Sequence, residues 1–192
     1  MVRNRWFLRV VVVFVACCAT RAPAAQFVLF PKAGQLPSPD GRFIVRDADR
    51  GGSAADFVGT FHSLWLTEVA TGRSRKLCDY LGVAAVAWSG DYVLITQYSG
   101  KKSARALLFS TTSDDGIMID AASLAPSLPA GLQATLRDND HVFIESSRLE
   151  GSVFYLRVWG YGHHDPSGFA VNCQYSLQEG TVSCAKRSDS KQ

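Results

Sequence analysis

Between residues 42 and 185, ten short segments rich in Val, Ile, Phe, Trp and Tyr are separated by clusters of Gly, Asp, Ser and Pro. No other feature narrows the choice of fold so far. The segments are Arg42–Arg46, Phe61–Val69, Ser74–Cys78, Val83–Trp88, Tyr92–Tyr98, Arg105–Thr111, His141–Ser147, Val153–Gly160, Phe169–Leu177 and Thr181–Ala185. β-Branched and aromatic side chains suit a pleated, half-buried surface, and most of the gaps are too short for crossover helices. The pattern therefore predicts an all-β fold, an antiparallel meander of about ten short strands. One interval departs from it. From Asp120 to Leu136 the leucines Leu124, Leu128, Leu132 and Leu136 recur at a spacing that places them on one helix face. Pro126 and Pro129 split the interval in two, with Ser127 as the expected cap of the second piece, giving a short helical insertion at about 120–136.

Ahead of the strands, Met1 to Ala24 read as a secretory signal peptide. Arg3, Arg5 and Arg9 form its basic start, Val10 to Ala19 its apolar run, and Ala22-Pro23-Ala24-Ala25 its small-residue cleavage region. An apolar run this short falls well below the roughly 20 residues that a membrane-spanning helix needs. Cleavage is expected after Ala24. The rival reading is acylation at Cys17, because Phe14-Val15-Ala16-Cys17 resembles a bacterial lipoprotein signal. The expected division is 1–24 signal peptide, 25–185 a single β domain, and 186–192 a polar, disordered tail, with no transmembrane helix in the mature chain. The expected location is periplasmic or secreted.

Removing the leader changes the charge argument. The chain has 20 basic and 17 acidic residues, and four arginines but no acid leave with the leader, so 16 stand against 17. A nearly neutral domain lacks the basic stripe of a nucleic-acid binder, and none is expected as a partner. Export permits disulfides. Cys173 and Cys184 flank Gln178-Glu179-Gly180, which reads as a hairpin turn, so the two cysteines face each other and are expected to be bonded. Cys78, beside Leu77 and Tyr80, is left over and reads as a buried free thiol.

A weak internal repeat runs through the strands. Asp40-Gly41-Arg42-Phe43-Ile44-Val45, Asp91-Tyr92-Val93-Leu94-Ile95 and Asp140-His141-Val142-Phe143-Ile144 each set an acidic turn residue before an apolar strand. In its first copy, Ser38-Pro39-Asp40-Gly41-Arg42-Phe43-Ile44-Val45 is followed by Leu64-Trp65-Leu66-Thr67-Glu68-Val69-Ala70-Thr71-Gly72 and Arg73 to Leu77. This stretch resembles one blade of the WD40-like propeller repeats of exported bacterial proteins of the TolB type. The resemblance covers about 40 residues well, roughly a quarter of the chain, while the second and third copies are degenerate. It implies blade-like units and a role as an interaction platform. Three copies fall short of the four to eight blades of a typical propeller, so the expected architecture is an incomplete propeller or a sandwich-like meander, with self-association through open edges an added possibility.

Chemistry-bearing motifs are few. Gly160-Tyr161-Gly162-His163-His164-Asp165-Pro166-Ser167-Gly168 sets two imidazoles and a carboxylate in a glycine-flanked loop. His163, His164 and Asp165 are the residues a metal-dependent hydrolase would use, although the plain reading is a polar hairpin loop. Asp47-Ala48-Asp49-Arg50-Gly51-Gly52-Ser53 and Asp56 offer oxygens at calcium-loop spacing but lack the closing Glu, so they read as a flexible connection between strands. No nucleophile elbow, His-Glu-x-x-His or phosphate loop occurs. Along Val153 to Tyr161 the alternation assigns Phe154, Leu156 and Val158 to a core and leaves Tyr155, Arg157, Trp159 and Tyr161 as an aromatic row around an arginine, with Phe169 and Tyr175 nearby. A peptide or a sugar fits such a row, unless a second sheet covers it. The reading that follows is a non-catalytic exported module that binds a protein of the cell envelope through a sheet face or edge, without a cofactor.

Overall fold

The computed structural model describes residues 25–53, 60–128, 130–138, 141–163 and 166–186. The signal peptide, Cys17, Asp56, Asp140, His164, Asp165 and the tail beyond Lys186 lie outside them. In chain order the strands are β1 (Val28–Phe30), β2 (Gln35–Pro37), β3 (Phe43–Ser53), β4 (Thr60–Glu68), β5 (Ser74–Leu81), β6 (Ala84–Ser89) and β7 (Tyr92–Ser99), followed by β8 (Ser103–Ser110), β9 (Gly116–Ile119), β10 (His141–Glu150), β11 (Val153–Tyr161), β12 (Phe169–Ser176) and β13 (Thr181–Lys186). Between β9 and β10 lie α1 (Ala121–Leu124), a 3-10 turn (Ala125–Ser127) and α2 (Ala130–Asp138). The fold is all-β with a short helical insertion, and all ten expected strands are present.

These strands form three antiparallel meanders of four: β2–β5, β6–β9 and β10–β13. Two short parallel bridges join them into one path, Leu81 with Ser99, and Val142 and Phe143 with Ser103 and Ala104. The path ends at β2 and β13, which do not pair with each other among the described residues. The short β1 adds to the free edge of β6.

Sequence alternation dictates how the meanders stack. In the middle sheet Val93, Ile95, Leu107 and Phe109 point one way, into a core shared with Val45, Leu64, Leu66 and Tyr80 of the first sheet. Leu94, Ala106, Leu108 and Ile119 point the other way, into a core shared with Ile144, Phe154, Leu156 and Val158 of the third. A sheet covered on both faces must be apolar at every position, which is why Val93-Leu94-Ile95 and Ala106-Leu107-Leu108-Phe109 are continuous apolar runs. Each fully buried large side chain contributes about 1.5–3 kcal/mol. The end sheets are covered on one face only and therefore alternate.

Like strands lie against like strands. The Trp88 indole on β6 donates to the Leu36 carbonyl on β2 (3.3 Å), and the Ser89 hydroxyl on β6 donates to the Leu149 carbonyl on β10 (3.2 Å). The turn after β2 meets the turn after β6, where Arg42 donates to Asp91 at 2.7 Å. Successive sheets thus stack in the same sense.

Four expectations need correction. First, β10 is the first strand of its sheet, whereas Phe43 and Tyr92 open the second strands of theirs. The third copy of the repeat is therefore out of phase with the first two in the fold. Second, the segment from Asp47 to Ser53 is strand, not a flexible connection, since β3 continues past Arg46 paired with β4 as far as Asp49 and again, after a register shift, at Ser53. Third, Ser127 closes the 3-10 turn and α2 begins only at Ala130. Asp120 is the observed cap, accepting from the Ser123 backbone N–H while the Ser123 hydroxyl receives the Asp120 N–H. Fourth, Lys186 belongs to β13 and not to the tail. The four leucines do serve one purpose: Leu124, Leu128 and Leu136 are buried, and Leu132 packs against the same core.

Candidate functional site

The third sheet carries its core on the face formed by Phe154, Leu156 and Val158. Its opposite face carries Tyr155, Arg157, Trp159 and Tyr161. Arg157 and Tyr161 are exposed, and Tyr155 and Trp159 are half-buried. The neighbouring positions on β12, Ala170, Asn172 and Gln174, are exposed as well. This face is open.

Register explains how the row is held. Directly opposite residues on antiparallel strands share a face, so each β11 side chain is backed by its partner on β10. Phe143 stacks on Trp159 with ring centroids 4.2 Å apart, His141 stacks on Tyr161 at 4.4 Å, and the Arg148 guanidinium lies 3.8 Å from the centre of the Tyr155 ring. Phe143 is only 6% exposed, buried beside Trp159. On the other side, Tyr155, Arg157 and Trp159 stand opposite Gln174, Asn172 and Ala170. The result is a row of aromatic side chains backed on the β10 side and bordered on the β12 side by small and amide side chains.

Two buried polar atoms in the row, the Trp159 Nε1 and the His141 Nδ1, have no hydrogen-bond partner among the described residues. Buried polar atoms normally find partners, and the one other such atom among the described residues is the Thr111 Oγ1. Glycine makes the close packing possible. A Cβ at Gly160, between Trp159 and Tyr161, would sit 2.3 Å from the His141 carbonyl oxygen. Opposite Arg157, within the row, Glu145 accepts from the Tyr98 hydroxyl at 3.2 Å, and burial, reinforced by that carboxylate, pushes the phenol up to about 12.

Tyr175 does not belong to the row. It stands opposite Phe154 and packs against the core, as does Phe169, because the one-residue alternation puts both on the covered face. The same face holds the disulfide: Cys173 and Cys184 are directly opposite, with Cα atoms 4.1 Å apart, and Cys173 is fully buried. The bridge staples the last hairpin to the core. His163 is exposed at the end of the β11 hairpin, whereas His164 and Asp165 lie outside the described residues. Among the described residues no group of three or more His, Cys, Asp or Glu side chains converges on a point that would hold a metal ion. No helix among them is long and apolar enough to cross a membrane.

A second cluster was not legible in the sequence. The Asp47 carboxylate on β3 accepts from the Tyr80 hydroxyl on β5 (2.5 Å) and pairs with the His62 Nδ1 on β4 (2.9 Å), with the His62 and Tyr80 rings stacked at 5.2 Å. Next to it the Ser63 hydroxyl donates to Asp79 at 2.5 Å. His62, Ser63 and Tyr80 are buried. Burial and the bond to Asp47 both push the Tyr80 phenol upward, so it stays protonated. These residues are spread over three strands and carry no motif, and only the strand register brings them together. Cys78, close by, is pushed up to about 12, mainly by burial, which keeps it a thiol rather than a thiolate.

No protein-family model matches this chain, and no curated protein or solved structure matches it either.

Proposed function

We propose that this chain is an exported, non-catalytic binding module of the cell envelope, and that the outer face of its third sheet is where it binds. The observation that carries the reading is the open aromatic row itself. Tyr155, Trp159 and Tyr161 are fixed by partners on β10 before any ligand arrives, so little side-chain entropy is lost on binding. A row of stacked aromatic rings that reaches the surface beside an exposed arginine supports an interaction site. The leader and the Cys173–Cys184 bridge support a periplasmic or secreted location. Three four-stranded meanders stacked with like strands together support reading the fold as three blades of an unclosed propeller. The binding partner expected from the sequence is a protein of the envelope.

Arg157→Gln and Tyr161→Ala test the site, because both side chains are exposed and their loss leaves the core intact. Trp159→Ala is a poor probe, since the indole covers Phe143. The expected result is loss of capture of envelope material by the purified mature protein, with the melting temperature shifted by no more than a few degrees. Unchanged capture by both variants would remove the site from consideration.

A further inference from the structure

We infer that the groove beside the aromatic row holds an acidic saccharide chain, an inference that rests on the reading of this face as the binding site. Each aromatic ring on β11 has its β10 side covered by Phe143, His141 or Arg148, so the side available to a ligand is the one toward β12. There the wall stands over Ala170, Asn172 and Gln174, with Ser183 and Ala185 beyond them on β13, all exposed. A wall of ring faces above a flat amide floor offers two kinds of contact side by side. A pyranose ring has the same two in complement, an apolar C–H face and a rim of hydroxyls that each donate and accept.

The floor fits hydroxyls better than it fits a protein. Asn172 and Gln174 each carry one acceptor and two donors, and neither amide has a partner among the described residues. A protein interface is anchored by large side chains filling pockets at its centre, whereas the cavity on this face lies at the hairpin end, between Arg157, Trp159, Tyr161 and the turn of Pro166, Ser167 and Gly168, and does not reach the Asn172 and Gln174 floor. The exposed surface continues from β12 to Ser183 and Ala185 on β13, so it suits a chain rather than a single sugar. Its one charged group decides the sign. Arg157 lies between Tyr155 and Trp159, is exposed, and makes no ion pair among the described residues, while the cross-strand Glu145 receives the Tyr98 hydroxyl instead. A carboxylate on the saccharide would complete that guanidinium with a charge-assisted pair of hydrogen bonds.

Titration calorimetry of the mature protein with oligogalacturonate, cello-oligosaccharide and polyglutamate tests this. Oligogalacturonate is expected to bind, with Arg157→Gln and Tyr161→Ala each weakening it about tenfold or more and Gln174→Ala weakening it less. Cello-oligosaccharide should bind about tenfold more weakly than oligogalacturonate and be indifferent to Arg157→Gln. Binding of polyglutamate as tight as that of oligogalacturonate would show that charge alone is read, and equal binding of the neutral and acidic chains would remove the role of Arg157; either overturns the inference. If neither saccharide binds while Tyr161→Ala still abolishes capture of envelope material, the saccharide inference fails and the site stands. If Tyr161→Ala changes neither, both fail.

Discussion

Two cross-strand histidine–tyrosine pairs occupy opposite ends of this molecule. His62 and Tyr80 stack in the first sheet, and His141 and Tyr161 stack in the third. The first pair is buried and closed by Asp47, which pairs with the imidazole and accepts from the phenol. The second is open to solvent at Tyr161, and its buried His141 Nδ1 has no partner among the described residues. The same two residue types in the same local geometry thus serve different ends. A polar group satisfied inside a sheet stack ties strands together, whereas a buried one left unsatisfied makes no such tie.

Breaking the first pair should cost the most. Asp47→Ala strands both the phenol and the imidazole, and is expected to destabilise the protein by about 3 kcal/mol in urea unfolding. The sharpest contrast comes from one substitution made at both histidines. His62→Phe keeps a stacked ring but leaves the Asp47 carboxylate short of a partner, an expected loss of about 2 kcal/mol. His141→Phe also keeps the stack but removes an unsatisfied nitrogen, so stability should be unchanged or rise by up to about 1 kcal/mol. Equal losses at the two positions would erase the distinction. Gly160→Ala should cost about 2 kcal/mol, because a Cβ there meets the His141 carbonyl and parts β10 from β11 under the aromatic row. The smallest effect is chemical: Cys78 should resist alkylation in the folded protein at any pH below 10, since burial holds its thiol near 12, and should react once urea exposes it.

Much of this arrangement was legible in the sequence, for identifiable reasons. Period-two alternation from Val153 to Tyr161 separated core from surface correctly, and the spacing of Cys173 and Cys184 about a turn located the bridge. Both signals are local. Tyr175 was misplaced because its face depends on its register with β11, which no stretch of β12 encodes alone. Asp47 looked like part of a loop because acidic and glycine-rich sequence is weak strand former, and pairing with β4 overrode that propensity. Backing of the aromatic row by His141, Phe143 and Arg148 was likewise invisible, since β10 and β11 had to be aligned first. Strand existence is written in composition; the contacts that build a site are written in register.

The account depends on the outer face of the third sheet being open in the free protein and covered when the protein is at work. Hydroxyl-radical footprinting of the mature protein, alone and mixed with envelope material, measures that directly. Tyr161 should be modified readily in buffer and protected in the mixture, with Tyr80 silent in both. Tyr161 silent in buffer, or modified to the same extent in both, would contradict it.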